Sequence, residues 1–139
     1  MDVQSVAEFY QQLGKSNLNT LSQIYHPDIV FEDAAHRING LSSLEHYFEQ
    51  LYLNVTGCRF TIHEAHQTGN GGFLVWTMAL EHPKLKGGAT ISVKGISQIR
   101  FEHDKVIYHR DYFDLGEMVY ENVPCVGAII RTIKQRLGQ

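Results

Sequence analysis

The chain has 139 residues, 43% of them hydrophobic, which is typical of one globular domain that can bury a sizeable core. Its formal net charge of -3 at pH 7 provides no basic field for a phosphate backbone, so nucleic acid is not an expected partner. The first residues lack the basic and apolar segments of a secretion signal, and no stretch reaches the roughly 18 apolar residues of a membrane span. These features predict a cytoplasmic protein that is not associated with a membrane.

The sequence contains no recognisable metal or cofactor motif. Cys58 and Cys125 stand alone, without the paired spacing of a zinc site or a disulfide framework. His63 and His66 are three residues apart on a predicted strand, which places them on opposite faces. We therefore expect no metal and no cofactor.

Helical periodicity dominates the first third of the chain. Apolar residues recur at helical spacing over residues 2–14, and the glycine at the end of this range predicts a helix stop. Asn17 can cap a second, shorter helix, which should end before Pro27 because the residue preceding a proline avoids the α region. A short strand is predicted over residues 29–32. Ser42 and Glu45 have the spacing of a capping box at the start of a third helix.

The hydrophobic period changes to two in the second half of the chain, and turn signals separate four predicted strands. A final amphipathic helix is predicted over residues 124–137. Helices followed by a meander of long strands indicate an α+β domain, in which a curved antiparallel sheet wraps around the N-terminal helices. The predicted strands are 58–67, 73–82, 88–102 and 106–115.

The second long strand is apolar on both faces, unlike the third, which alternates cleanly. One face can cover the core, and the other then needs a partner. The simplest partner is a second copy of the chain packed sheet against sheet, so a homodimer is expected. Strand parity places Trp76 on the side of this second copy.

The run from His109 to Asp114 puts a histidine and two carboxylates inside a predicted strand. Alternate residues of a strand point to opposite faces, so His109 and Asp111 share a face with Ile107 and Phe113. Charged groups between apolar neighbours indicate either a functional pair or a satisfied structural pair. The opposite face, toward solvent or a partner, carries Arg110, Tyr112 and Asp114.

Asp33 is a second candidate, because it ends the short strand and precedes Ala34, Ala35 and His36. A carboxylate at the edge of an apolar cavity is suited to act as a general base, since desolvation disfavours its charged form. An aspartate that only forms a surface turn has the same sequence context. Both interpretations of Asp33 stay open at this point.

The order of elements and three segments resemble the nuclear-transport-factor-2-like superfamily, which includes SnoaL-like cyclases, ketosteroid isomerases and limonene-epoxide hydrolases. The segments are 25–33, Asn39-Gly40 and 105–116. The resemblance implies one SnoaL-like domain over residues 1–139. It also implies a cone-shaped α+β barrel whose sheet and N-terminal helices enclose an apolar pocket, usually in a dimer.

The resemblance also implies roles for individual positions. Asp33 falls where ketosteroid isomerases have their proton-shuttling base, whereas their two oxyanion-hole donors fall at about Phe9 and Ser97. Asp111 takes the position of one catalytic carboxylate of limonene-epoxide hydrolases, and the arginine of that family falls near Ala79. SnoaL-like cyclases are similar in placing a histidine and an aspartate in the pocket.

These observations predict a cofactor-independent isomerase, cyclase or hydrolase that acts on a small hydrophobic carbonyl or epoxide compound. Its predicted catalytic residues are Asp33, His109 and Asp111. The residues predicted to bind the small molecule are Phe9, Tyr10, Phe31, His36, Trp76, Ser97 and Phe113.

Two alternatives remain. In the first, the protein is a non-catalytic ligand-binding or protein-association module. Asp33 then pairs with His36, and Asp111 with His109, in structural networks that leave the pocket small or closed. In the second, function resides on the C-terminal helix, whose cations face a partner or an anionic surface. Cations there also complement the helix dipole. They are Arg131, Lys134 and Arg136.

Overall fold

The structure, a computed structural model, describes residues 1–123 and 126–138. In these residues it contains four α-helices and six β-strands. The helices are α1 (Val3–Gln12), α2 (Leu41–Asn54), α3 (Leu115–Met118) and α4 (Val126–Leu137). The strands are β1 (Tyr25–Glu32), β2 (Arg37–Asn39), β3 (Gly57–Thr68), β4 (Gly71–Glu81), β5 (Ile91–Glu102) and β6 (Lys105–Phe113).

The strands form one curved, unclosed sheet in the order β2-β1-β6-β5-β4-β3. The four long strands β3 to β6 are an antiparallel meander, as predicted. β1 lies parallel to β6, and this register sets Phe31 beside His109. The α+β class is therefore confirmed. The parallel pairing also brings the end of β1, where Asp33 follows, next to the strand that carries Asp111.

The N-terminal helices lie where they are predicted, but their ends differ and the second one is not an α-helix. Asp2 caps α1 by accepting a hydrogen bond from the Ser5 backbone N–H at 3.0 Å. The second predicted helix is a 3-10 segment, Leu18–Gln23, and the strand β1 begins directly after it. β1 is longer than the predicted 29–32. Pro27 is tolerated near its start because β2 pairs only with residues 30–32 and leaves that side of the strand open there.

The predicted capping box of α2 does not form. Gly40 precedes the helix with φ of 91°, a conformation that favours glycine, and it has no side chain to cap the helix. The helix therefore begins at Leu41, and Ser42 lies inside its first turn. The Gly40 N–H instead donates to the Ile29 carbonyl at 2.8 Å, which ties the start of α2 to β1.

The C-terminal segment contains a short helix that was not predicted. β6 ends at Phe113, and Asp114 then caps α3 by accepting a hydrogen bond from the Glu117 backbone N–H at 2.9 Å. Asp114 thus has a structural role. Residues 124 and 125 of the predicted final helix lie outside the described residues, and α4 follows from Val126.

The prediction that Trp76 faces a second copy is wrong. Trp76 is buried in the core with Leu74 and Leu80, whereas Phe73 of the same strand is exposed. Both faces of β4 are apolar, so the hydrophobic pattern alone does not determine which face is inside. Gly95 of β5 decides it, because a Cβ atom there would lie 2.3 Å from a ring atom of Trp76.

An irregularity in β6 changes one predicted neighbour of the site. The register between β5 and β6 shifts between Arg100 and Phe101, so that Val106 rather than Ile107 is buried in the core. Ile107 is half-buried and lies beside Tyr108 in a groove on the outer face of the sheet. The predicted shared face therefore does not extend back to Ile107. A bulge of one residue reverses the face of the sheet to which the preceding side chains of the strand point.

Candidate active site

His109 and Asp111 form a direct pair on the inner side of β6. His109 is only 1% exposed, and its Nε2 lies 2.6 Å from Asp111 Oδ1. An ionised carboxylate can only accept hydrogen bonds, so Nε2 carries the proton and donates it to Asp111. The other ring nitrogen, Nδ1, is then an acceptor.

Two buried tyrosines hold the His109 ring in place through hydrogen bonds. The Tyr25 hydroxyl donates to His109 Nδ1 at 2.8 Å, and the Tyr10 hydroxyl is hydrogen-bonded to that of Tyr25. Burial raises the pKa of both phenols well above the ordinary value, which keeps them protonated and available as donors. The chain of hydrogen bonds therefore holds one tautomer and one ring orientation of His109.

Asp111 receives a second donor from β5. The indole N–H of Trp76 donates to Ser97 Oγ at 2.8 Å, and the Ser97 hydroxyl in turn donates to Asp111 Oδ1. Both donors reach the same oxygen. Asp111 Oδ2 has no hydrogen-bond partner among the described residues, and the side chain is partly exposed at the cavity wall. Asp111 thus has one fixed oxygen and one that can accept a proton.

Asp33 is engaged on both of its oxygens. Oδ1 accepts the backbone N–H groups of Ala35 at 2.8 Å and His36 at 2.7 Å, which closes the turn between β1 and β2. Oδ2 accepts the Tyr47 hydroxyl at 2.6 Å. Burial, with Asp33 adding to it, raises the pKa of Tyr47, so this phenol stays protonated. Asp33 therefore forms the turn that the structural interpretation expects.

Asp33 and Asp111 line the same cavity, which has a volume of about 520 Å³. This size suits a small organic molecule. Its wall contains no lysine or arginine among the described residues, and most of its surface is apolar. The aromatic residues of the wall include Tyr10, Phe31, Phe48, Phe60, Trp76 and Phe113.

The sequence model of the SnoaL-like domain matches residues 6–109, well over half of the chain. The chain belongs to this family. No curated protein matches this SnoaL-like chain.

Solved structures share the fold of this SnoaL-like protein. A nuclear-transport-factor-2-like protein of unknown function from Burkholderia pseudomallei K96243 superposes with a TM-score of 0.76 and 17% identity, covering 88% of this chain and 96% of its own. A protein named as a putative SnoaL-like polyketide cyclase from Shewanella denitrificans OS-217 superposes with a TM-score of 0.69 and 22% identity, and the match covers 83% of this chain and 92% of that one. An epoxide hydrolase from Mycobacterium tuberculosis, similar to limonene-epoxide hydrolase, superposes with a TM-score of 0.70 and 21% identity. The match covers 84% of this chain and 80% of that one.

In the SnoaL-like chain, the predicted site residues occupy three kinds of position. Ser97 and His109 lie behind the wall and hold Asp111. Phe9 lies outside the wall and packs edge-on against the Tyr10 ring, with the ring centroids 5.7 Å apart. The remaining predicted residues line the cavity together: Tyr10, Phe31, Asp33, His36, Trp76, Asp111 and Phe113.

Three tyrosines of this SnoaL-like site are not among the residues predicted from the sequence. Tyr25 holds His109, Tyr47 donates to Asp33, and Tyr52 lines the cavity. For two of them a signal was present, because Tyr25 and Tyr52 occupy apolar positions of predicted helices. A buried tyrosine needs a partner for its hydroxyl, and such a position therefore indicates a polar network.

Two of the cations of α4 contact Glu121, in the segment before that helix. Arg131 donates to the Glu121 carbonyl at 2.6 Å, and Lys134 lies 3.2 Å from the Glu121 carboxylate. Among the described residues, no helix is both long and apolar enough to cross a membrane. The same residues bring together no group of three or more His, Cys, Asp or Glu side chains that could hold a metal ion.

Proposed function

We propose that the protein catalyses cofactor-independent acid-base chemistry on a small hydrophobic carbonyl or epoxide compound, with Asp111 as the general base. One observation carries this proposal. Asp111 lies on the wall of an apolar cavity with Oδ1 held by His109 and Ser97, and with Oδ2 free to reach a ligand. A carboxylate in that state is oriented by the protein and is still able to accept a proton.

The proposed step moves one proton. With a carbonyl compound, Asp111 Oδ2 takes the proton from the carbon next to the carbonyl group, and the electron pair of that C–H bond passes to the carbonyl oxygen as an enolate. Where the compound also carries a C=C bond that extends the enolate to a dienolate, return of the proton from Asp111 to the far carbon of the dienolate moves the double bond and gives an isomer. With an epoxide, Asp111 takes a proton from water while the water oxygen attacks a ring carbon. The ring C–O bond then breaks, its electron pair goes to the ring oxygen, and this oxygen takes the proton back from Asp111, which gives the diol.

His109 and Asp33 have supporting parts in this proposal. His109 is a positioning residue, because it reaches the ligand only through Asp111. Asp33 is less suited than Asp111 to accept a proton, since both of its oxygens already accept hydrogen bonds. It holds the Tyr47 hydroxyl at the cavity instead.

The second candidate is a ligand-binding module without catalysis. It is favoured by the two carboxylate–histidine pairs, Asp33 with His36 at 3.3 Å and Asp111 with His109 at 2.6 Å, which are the networks that this alternative requires. It also requires a small or closed pocket, and the cavity of about 520 Å³ argues against that.

The two candidates differ in whether the protein turns over a ligand. We would incubate the protein with a panel of apolar ketones in D2O and follow exchange of the hydrogens next to the carbonyl by NMR, and follow diol formation from apolar epoxides in parallel. Asp111→Asn should lower the rate by about 100-fold or more, the usual contribution of a general base. Asp114→Asn is the matched control, because Asp114 caps α3 and asparagine is an equally good cap.

Turnover that is as fast in Asp111→Asn as in the parent would reject Asp111 as the base. Binding of these compounds without any turnover would favour the second candidate.

We also propose that the protein forms a homodimer through the outer face of the sheet. Val75, Ile96 and Tyr112 lie directly opposite one another on β4, β5 and β6 and form an apolar row across three strands. Ile96 is 43% exposed and Tyr112 is 50% exposed. An exposed row of apolar residues on the outer face of a sheet is typical of a protein interface.

A further inference from the structure

The apolar cavity contains negative charge that no lysine or arginine of its described wall balances. Asp33 and Asp111 both line it. His109 adds no positive charge behind Asp111, because its Nδ1 accepts a hydrogen bond from Tyr25. The wall also contains His36 and His82, and histidine is ordinarily uncharged at pH 8. At that pH the two carboxylates determine the charge of the cavity.

The two carboxylates come together along a parallel pair of strands. Glu32 of β1 pairs with Arg110 of β6, and Asp33 and Asp111 each follow one residue later. Tyr47, on the same wall, is affected by both of them. Burial raises the pKa of its phenol, and the negative charges of Asp33 and Asp111 raise it further. A positive charge in this part of the cavity would therefore be attracted by both carboxylates.

Donors from the protein fix both carboxylates at the wall. Asp111 Oδ1 accepts hydrogen bonds from His109 and Ser97. Asp33 accepts two backbone N–H groups with Oδ1 and the Tyr47 hydroxyl with Oδ2, so it offers a ligand its charge more than a further hydrogen bond. Charges that are already in place attract a ligand of opposite sign without first having to be ordered.

The aromatic wall selects the kind of cation. The rings of Phe31, Tyr47 and Phe48 lie with their centroids 5.7 to 6.0 Å apart, and Tyr47 connects this group to Asp33. Aromatic faces attract cations. A primary ammonium group would bring three N–H donors into an apolar wall, where unpaired donors are costly. A tertiary or quaternary ammonium group brings one such donor or none, and its alkyl groups pack against the rings.

We propose that the cavity binds a small apolar molecule with a tertiary or quaternary ammonium group, and that Asp33 and Asp111 together provide the opposite charge. That this molecule is also a substrate rests on the proposed function, and its ammonium group is then separate from the carbonyl or epoxide group that reacts. Binding of the cation does not rest on the proposed function, because it concerns affinity alone.

The test compares two probes of the same shape, phenyltrimethylammonium and tert-butylbenzene, in which a carbon replaces the positive nitrogen. Their dissociation constants are measured at pH 8 by calorimetry and by the fluorescence of Trp76, the chain's single tryptophan, which lies in the wall. The parent should bind the cation more tightly by about 10-fold or more, because two carboxylates attract it and not the neutral probe.

Asp33→Asn and Asp111→Asn each remove one charge with little change of shape. Each should weaken the cation about 10-fold and leave tert-butylbenzene unchanged. Asparagine can still accept the N–H groups of the turn at position 33. Asp28→Asn is the matched control, because Asp28 also belongs to β1 but is exposed and is not part of the cavity wall. It removes the same charge from the molecule and should change neither constant.

The proposal is overturned if the parent binds tert-butylbenzene as tightly as the cation, or binds neither probe. It is also overturned if the two cavity variants weaken both probes equally, or weaken neither. Near-UV circular dichroism checks the fold of each variant, and the comparison of the two probes in the parent decides the matter where a variant does not fold.

This result is separable from the test of the proposed function. A parent that prefers the cation, but turns over none of the ketones or epoxides, supports the cation site and contradicts the proposed function. Turnover by a parent without that preference does the reverse.

Discussion

At the scale of single residues, Tyr25 is the least replaceable part of the site. Its hydroxyl connects the Tyr10 hydroxyl to His109 Nδ1, all of them within the core. The orientation of His109, and through it that of Asp111, therefore depends on one phenol. Strand alternation was enough to predict that His109 and Asp111 share a face. The pattern contains nothing that predicts the partner of His109, since Tyr25 is 84 residues away in the sequence.

We expect Tyr25→Phe to destabilise the protein more than Tyr10→Phe. Loss of the Tyr25 hydroxyl leaves both the Tyr10 hydroxyl and His109 Nδ1 unpaired in the core, at a cost of about 1–3 kcal/mol. Loss of the Tyr10 hydroxyl removes one bond and leaves Tyr25 still donating to His109, at about 0.5–1.5 kcal/mol. Urea denaturation of both variants measures the difference. Equal losses would mean that Tyr25 does not bridge the two groups.

At the scale of elements, β5 determines how the cavity wall is built. Its clean alternation predicts one buried face, and Ile91, Val93, Ser97 and Ile99 do face the core. The neighbouring strand β4 was assigned the wrong way round, because both of its faces are apolar and only the space above Gly95 admits the Trp76 ring. The bulge in β6 could not be predicted from the sequence pattern either. Such features depend on contacts between strands, which a periodic pattern in one strand does not contain.

Gly95→Ala should therefore disturb the site as well as the fold. The added Cβ would overlap the Trp76 ring, and displacing that ring breaks its bond to Ser97 and loosens the hold on Asp111. Overpacking of this kind costs about 1–3 kcal/mol. The readouts are the free energy of unfolding and the near-UV circular dichroism of the chain's single tryptophan. Gly14→Ala is the control, because a Cβ atom there would contact nothing. An unchanged tryptophan signal in Gly95→Ala would contradict the packing described for Trp76.

At the scale of the whole molecule, the order of elements was enough to predict the α+β class and the curved sheet, because helical and strand periods occupy separate parts of the chain. The parallel pairing of β1 with β6 and the added strand β2 could not be predicted in this way. A strand of three residues is too short to show a period, and parallel pairing joins segments far apart in the sequence. The cavity depends on these pairings, so its lining residues were predicted only in part.

The exposed apolar row on the outer face of the sheet predicts a dimer. A single charged side chain placed in that row should disrupt it. Ile96→Glu places a carboxylate in the middle of the row, where two copies would meet and repel each other. Sedimentation velocity should show a dimer for the parent and a monomer for this variant. Leu53→Glu is the control, because Leu53 is exposed on α2, away from the sheet, and it should leave the dimer intact. A parent that sediments as a monomer would contradict the proposed homodimer.

In the proposed mechanism, a ligand reacts at Asp111 Oδ2 inside the apolar cavity. A crystal structure of the protein with the best-exchanging ketone from the panel tests it most directly. We predict that the carbon next to the carbonyl lies about 3–3.5 Å from Asp111 Oδ2, the separation of groups that are ready to react, while Oδ1 keeps its bonds to His109 and Ser97. A ketone bound elsewhere, or with that carbon against Asp33 instead of Asp111, would contradict the account.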